Sequence, residues 1–250
     1  MVDKSRRKML KYGAAATGAA LVPTVSSAKG TDADDDAGYN LDDITVISER
    51  DGETYVGVAL SKKGKQFTDV VHVGDSGTVK KAEVSESQYR TLTADVGTTT
   101  HADVQSTVGA TGDDWEEIIE RADAWGGTNG DCGAYDYTHR WGCVTAEFTR
   151  DISDLGIQAV SAALIGYVGA TLSSGVVIGV LAGVIAAGAW AISWVVDVDT
   201  ITVGATEFDK SAFGWTQTLN MSKVGTGWHV DWDDLVPQGG SPGHPGRDHI

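Results

Sequence analysis

From Leu155 to Val196 the chain runs for 42 residues without one charged side chain. A single helix of that length would be about 63 Å long, roughly twice the hydrocarbon thickness of a bilayer. The stretch Thr171–Gly175, reading TLSSG, offers a break. Two apolar segments are therefore expected, Leu155–Ala170 and Gly175–Val196, folded as a helical hairpin. The second is long enough to span a membrane, with Trp190 and Trp194 near one end as interfacial aromatics. The first carries Gln158, Ser161 and Tyr167 and is marginal alone. Helices apolar on every face must be buried, in protein or in lipid.

Small residues recur every four positions in both segments: Ala162, Gly166 and Ala170 in the first, Gly175, Gly179 and Gly183 in the second. Such stripes let helices approach closely, so the halves are expected to pack on each other or on copies from other chains. Asp151 and Asp154 precede the run, Asp197 and Asp199 follow it, and the tip between the segments is uncharged. A hairpin entering a membrane tip-first would carry no ionised group through hydrocarbon.

The N-terminus reads as an export signal. SRRKMLK supplies a basic region with Arg6 and Arg7 adjacent; an Ala/Gly-rich apolar stretch follows, and Ser26 and Ala28 stand at the small positions a signal peptidase needs. The arginine pair resembles a twin-arginine signal, which implies the twin-arginine export machinery as a partner and cleavage after Ala28. The full chain carries 35 acids against 19 bases, a net charge of -16, and loss of the signal makes the remainder more acidic still. That balance excludes a nucleic-acid binder working through a basic surface. An Asp-rich, Lys-poor exported chain resembles proteins of salt-loving archaea, whose self-repulsion is screened at high salt.

The zones are expected as follows: signal peptide 1–28, acidic flexible leader 29–43, β-meander 44–94, helix plus disulfide loop 95–150, hydrophobic hairpin 151–199, C-terminal β region 200–235 and disordered tail 236–250. Asp51-Gly52 between ITVISER and ETYVGVAL is a strong hairpin signal. Ser85 and Gln88 have capping-box spacing for a short helix to Leu92. Trp115, Ile118, Ile119, Ala122 and Trp125 fall on one face of a helix over Asp113–Trp125. Cys132 and Cys143 are expected to form a disulfide in an exported protein. TITVGATEF, FGWTQTLNMS and GWHVDW read as three strands, the last two a hairpin around Lys223–Thr226. The fold class expected is α+β, with β-rich flanks around a central, glycine-rich helical hairpin.

Catalytic signals do not hold. Gly74-Asp75-Ser76-Gly77 resembles the nucleophile loop of trypsin-like proteases, but the upstream domain that should supply His and Asp is missing, so it reads as a turn. No phosphate loop, dinucleotide fingerprint or metalloprotease motif is present, and the six His are scattered. Two Cys with His139 do not make a recognised metal site. No catalytic residue, cofactor or metal is assigned.

With SRRKMLK and the run Leu155–Val196 in place, the layout resembles that of protein-type halocins, the antimicrobial proteins of salt-loving archaea, in organisation alone. The resemblance implies a secreted membrane-active protein that inserts the hairpin into target lipid and self-associates through the glycine stripes. The alternative is a non-toxic extracellular or cell-surface binding or structural protein, its hairpin a membrane anchor or a buried core.

Overall fold

A computed structural model of the chain describes residues 38–94, 96, 98–109, 114–132, 135–187, 198–212 and 215–226. The first three strands are β1 (Asn40–Arg50), β2 (Glu53–Lys62) and β3 (Lys65–Val73), joined by two-residue turns. Asp51 and Gly52 have φ of 53° and 86°, Lys63 and Gly64 50° and 76°. Positive φ at both central residues gives the turn whose twist matches a right-handed strand pair. β4 (Val79–Glu83) follows the Gly74–Gly77 segment, where the Gly74 N–H donates to Thr78 O at 2.9 Å, an ordinary turn.

Two short helices come next, α1 (Glu86–Ala94) and α2 (His101–Val108), then the long strands β5 (Glu116–Cys132) and β6 (Tyr135–Phe148). A single turn, α3 (Ile152–Leu155), leads into α4 (Ile157–Thr171) and α5 (Gly175–Ala187), and β7 (Thr200–Ala212) and β8 (Trp215–Thr226) complete the described chain. All eight strands form one antiparallel sheet in chain order, β1 to β8.

The sheet curls. α4 lies against β1 to β5, and α5 touches β6 and β7 as well as β1, so strands near both ends of the order meet the same helix pair. Ile44, Val56, Leu60, Val71, Val144, Ile201 and Val203 point into the concave side with Leu164, Ile165 and Ile185. On the convex side Ile47, Tyr55, Val70 and Val84 pack with Tyr89 and Leu92 of α1 and Val104 and Val108 of α2. Because both faces of β2 are covered, it is buried almost without interruption instead of alternating. Each buried Val, Leu or Ile contributes roughly 1.5–3 kcal/mol.

The expected fold class is thereby corrected. The organising element is a β-rich, curled half-barrel rather than a central helical hairpin between separate flanks. β6 and β7 are neighbours, with Glu147 opposite Thr200, so the uncharged run is an insertion between two adjacent strands that the sheet then covers. α4 is buried along its whole length from Ala159 to Gly169. Its polar side chains anchor it: Gln158 Nε2 donates to Asp69 of β3, and the Tyr167 hydroxyl donates to Ala122 O at 2.7 Å.

The helix expected over Asp113–Trp125 is instead the start of β5. Ile118 and Ile119 are both fully buried because the register slips between Ile119 and Arg121. A bulge that turns consecutive isoleucines inward mimics helical spacing. Beyond it the period is 2, with Arg121 and Asp123 exposed and Ala122 and Ala124 turned toward the core. The expected hairpin around Lys223–Thr226 is corrected too: those residues belong to β8, with Lys223 opposite Gly204 and Thr226 opposite Ile201. GWHVDW lies outside the described residues.

Candidate functional site

The strands β5 to β8 form a four-stranded blade. Near the helices it is buried on both sides, with Cys143, Thr145 and Thr202 covered as fully as Val144 and Val203. Val144, Val203 and Val224 share one cross-strand row facing the core, as do Ala146 and Ile201. At Gly142 the strand lies directly on α5, since a Cβ there would meet Leu181 and Val177 at 3.2 Å.

Beyond Gly142 and Ala205 two sets of rows alternate in the register. One aligns Arg140 with Glu207 and Asn220, then Thr138 with Asp209 and Thr218, then Asp136 with Ser211 and Thr216. No apolar residue occupies those three rows. The intervening rows align Trp141 with Thr206 and Met221, His139 with Phe208 and Leu219, and Tyr137 with Lys210 and Gln217, and set Ala212 opposite Trp215. Lys210 is the one Lys, Arg, Asp or Glu in those rows. The alternation is written in the sequence, and the register brings like rows together across the strands.

The blade extends seven residues past Gly142 on β6, roughly 23 Å at strand rise. That is close to the apolar band of about 25 Å on a membrane-spanning sheet. The sequences linking its hairpins, Cys132-Gly133-Ala134-Tyr135 and Ala212-Phe213-Gly214-Trp215, contain no charge.

The residues singled out from sequence are distributed otherwise. The expected Cys132–Cys143 disulfide is corrected: Cys132 stands opposite Tyr135 and Cys143 opposite Trp125 on the same hairpin. Eight residues of strand separate the two rungs, about 26 Å, whereas bridged Cα atoms lie within about 7 Å. Cys143 is a free, fully buried thiol, pushed up to about 12 by burial and, secondarily, by Asp123.

The two helices that carry the small-residue stripes touch each other. Gly166 faces the sheet: a Cβ there would fall 2.5 Å from Val71 Cγ1. Ala162 is buried and Ala170 half-buried in the same helix. Gly175, Gly179 and Gly183 are half-buried in α5, and a Cβ on Gly183 would meet nothing within 4 Å. Trp190 and Trp194, like Arg6, Arg7 and Ala28, lie outside the described residues. Among the described residues no helix is long and apolar enough to cross a membrane, which says nothing of crossing by strands.

Sequence reasoning missed the blade because Gly and Asp in NGDCGAYDY read as a loop. The signal present was the alternation Tyr135, Tyr137, His139, Trp141. It also missed two clusters. Asp69, fully buried, accepts from Lys81 Nζ at 2.7 Å and from Gln158, and burial pushes its carboxyl up against the pull of Lys81. His72 and His101, distant in sequence, converge on Glu53. Among the described residues no group of three His, Cys, Asp or Glu is arranged to hold a metal ion.

Comparison with protein-family models, with characterised proteins and with solved structures finds no match to this chain.

Proposed function

We propose that this is an exported, membrane-active protein that engages lipid through the β5–β8 blade. The observation that supports the reading is the alternation of polar and aromatic-bearing rows in the register beyond Gly142, together with the uncharged, aromatic-bearing sequences that join the paired strands. A sheet with one polar and one aromatic face, alternating residue by residue, suits a surface that lies in or against a bilayer. Trp and Tyr are favoured at the lipid–water boundary, where an apolar ring body and a polar edge are both accommodated. The uncharged links could enter hydrocarbon without the penalty of carrying an ion. The helices α4 and α5 are the core that holds the blade, so lipid contact does not require them to leave it.

The test is flotation and dye release with archaeal-lipid vesicles at molar salt, using the chain from Lys29 onward. Binding that Phe213→Asp and Ala134→Asp abolish, with the fold retained by circular dichroism, is the expected result. Binding that survives both substitutions overturns the blade as the lipid-contacting element.

A second reading, an extracellular binding or structural module, is favoured by the burial of α4 from Ala159 to Gly169 within the protein itself, as in the core of a water-soluble fold. It expects the protein to stay in the aqueous fraction when vesicles are floated.

A further inference from the structure

The convex side of the sheet carries a cluster that the lipid-contacting reading does not use. Glu53 and Tyr55 lie on β2, His72 on β3, His101 at the first turn of α2, and Trp115 immediately before β5. His72 Nε2 is 3.8 Å and His101 Nδ1 3.9 Å from the same Glu53 oxygen, Oε2. The His72 ring stacks on Tyr55 at 4.7 Å, His101 meets Tyr55 edge-on at 4.8 Å, and Trp115 closes the group 5.8 Å from Tyr55. His72 Nε2 and His101 Nε2 are buried and have no hydrogen-bond partner. Buried polar atoms without partners are uncommon and call for a reason.

A proton on His72 would sit in crowded company. Glu53 is the one carboxylate both rings share. Lys80 of β4 stands opposite His72 in the register and adds a cation beside it, itself 3.7 Å from Glu117 of β5. The nearest acid on α2, Asp103, is engaged in the capping box with Thr100. Burial pulls the His72 imidazole below its ordinary range, with Lys80 and His101 acting in the same direction and Glu53 against it.

We propose that the His72–Glu53–His101 cluster is an acid-operated latch, holding α2 and Trp115 closed on β2 and β3 while the His72 imidazole is neutral and releasing them when His72 takes up a proton. What it holds is local. α2 has eight residues, two of them buried, and is tied down by Val104, Val108 and the Gln105–Tyr55 contact at 3.4 Å. Trp115 leads into the β4–β5 seam, where only Val79–Ile119, Lys80–Glu117 and Lys81–Glu116 are paired and the register shifts between the first two. Opening the latch therefore loosens the joint between β1–β4 and the blade.

The sign follows from linkage. A buried histidine whose folded pKa is depressed binds its proton more tightly once released, so closure is strongest above about pH 6.5 and weakens as pH falls below it. The opening constant should rise by up to about tenfold per pH unit for the proton that His72 takes up.

Amide exchange of residues 101–108 and Trp115 emission, followed from pH 8 to 5 in the full chain at constant salt, read this directly. The expected result is loss of α2 protection below pH 6.5, before the sheet amides respond. The double variant His72→Gln, His101→Gln should keep α2 closed across the range, and Glu53→Gln should deepen the acid loss while leaving pH 8 unchanged. Unchanged protection in the native chain, or α2 opening only together with the whole sheet, overturns the latch. Where the double variant does not fold, imidazole titration by NMR decides: His72 titrating at or above 6.5 in the native chain overturns it as well.

Discussion

Gly166 of α4 sits so close to Val71 of β3 that a Cβ on residue 166 would lie 2.5 Å from the Val71 Cγ1 atom. The glycine thus serves helix-on-sheet packing, and the absence of a side chain is what lets α4 settle into the concave face. Gly183, one stripe further on in α5, has open space in the same direction. Gly166→Ala should cost about 1–3 kcal/mol by overpacking. Gly183→Ala should be neutral or stabilising by up to about 1 kcal/mol through helix propensity. Urea midpoints at constant salt distinguish them; equal losses in both variants would mean that the stripes act as one helix–helix seam after all.

Asp69 is held by two donors from different elements, Lys81 of β4 and Gln158 of α4. Removing the cation leaves a buried carboxylate uncompensated, so Lys81→Met should destabilise by about 3–5 kcal/mol. Burial already raises the Asp69 carboxyl in the native chain, and loss of Lys81 raises it further. The folded state of the variant then binds the proton more tightly than the unfolded chain, so its deficit should shrink as pH falls. Adding Asp69→Asn should recover much of the loss at neutral pH. Urea melts from pH 8 to 5 check both statements, and a deficit that grows toward acid would contradict the assignment.

The register excludes a Cys132–Cys143 bridge, and this has a plain chemical consequence. Unreduced, denatured protein should take up two alkyl groups, as judged by intact mass. In the native protein Cys143 should be inert. It is fully buried, and with its thiol pushed up to about 12 the thiolate fraction at pH 8 is about one part in ten thousand. A mass two hydrogens short of the reduced chain would show that the β5–β6 hairpin has a different register.

What was legible in the sequence was local. Asp51-Gly52 and Lys63-Gly64 announce turns because few residues tolerate positive φ, and the Ser85–Gln88 pair announces α1, where the Ser85 N–H donates to Gln88 Oε1 at 2.9 Å. The environment of the uncharged run was not legible. Apolarity on all faces demands burial but does not say whether protein or lipid supplies it. Gln158 and Tyr167 were the clue, since each has a polar end that a sheet partner satisfies. β5 was misread because a bulge at Ile118–Ile119 imitates a helix, and the blade because its faces are defined only once β6 is set against β7.

The blade makes its own prediction at two adjacent residues. Leu219 shares the row of His139 and Phe208, whereas Thr218 shares the next row, that of Thr138 and Asp209. A lysine at either position adds the same charge to the same strand, one residue apart. If the aromatic face contacts hydrocarbon, Leu219→Lys should weaken vesicle binding by about 2–4 kcal/mol, the cost of a cation on the lipid face near the midplane. That is a loss of roughly thirtyfold to a thousandfold in partition. Thr218→Lys should bind nearly as the native chain does, since its row is already polar. Flotation with a titration of archaeal lipid at molar salt gives both partition constants. Equal losses would mean that the charge acts on the fold or on the vesicle surface at large, and that the two faces of the blade are not told apart by lipid.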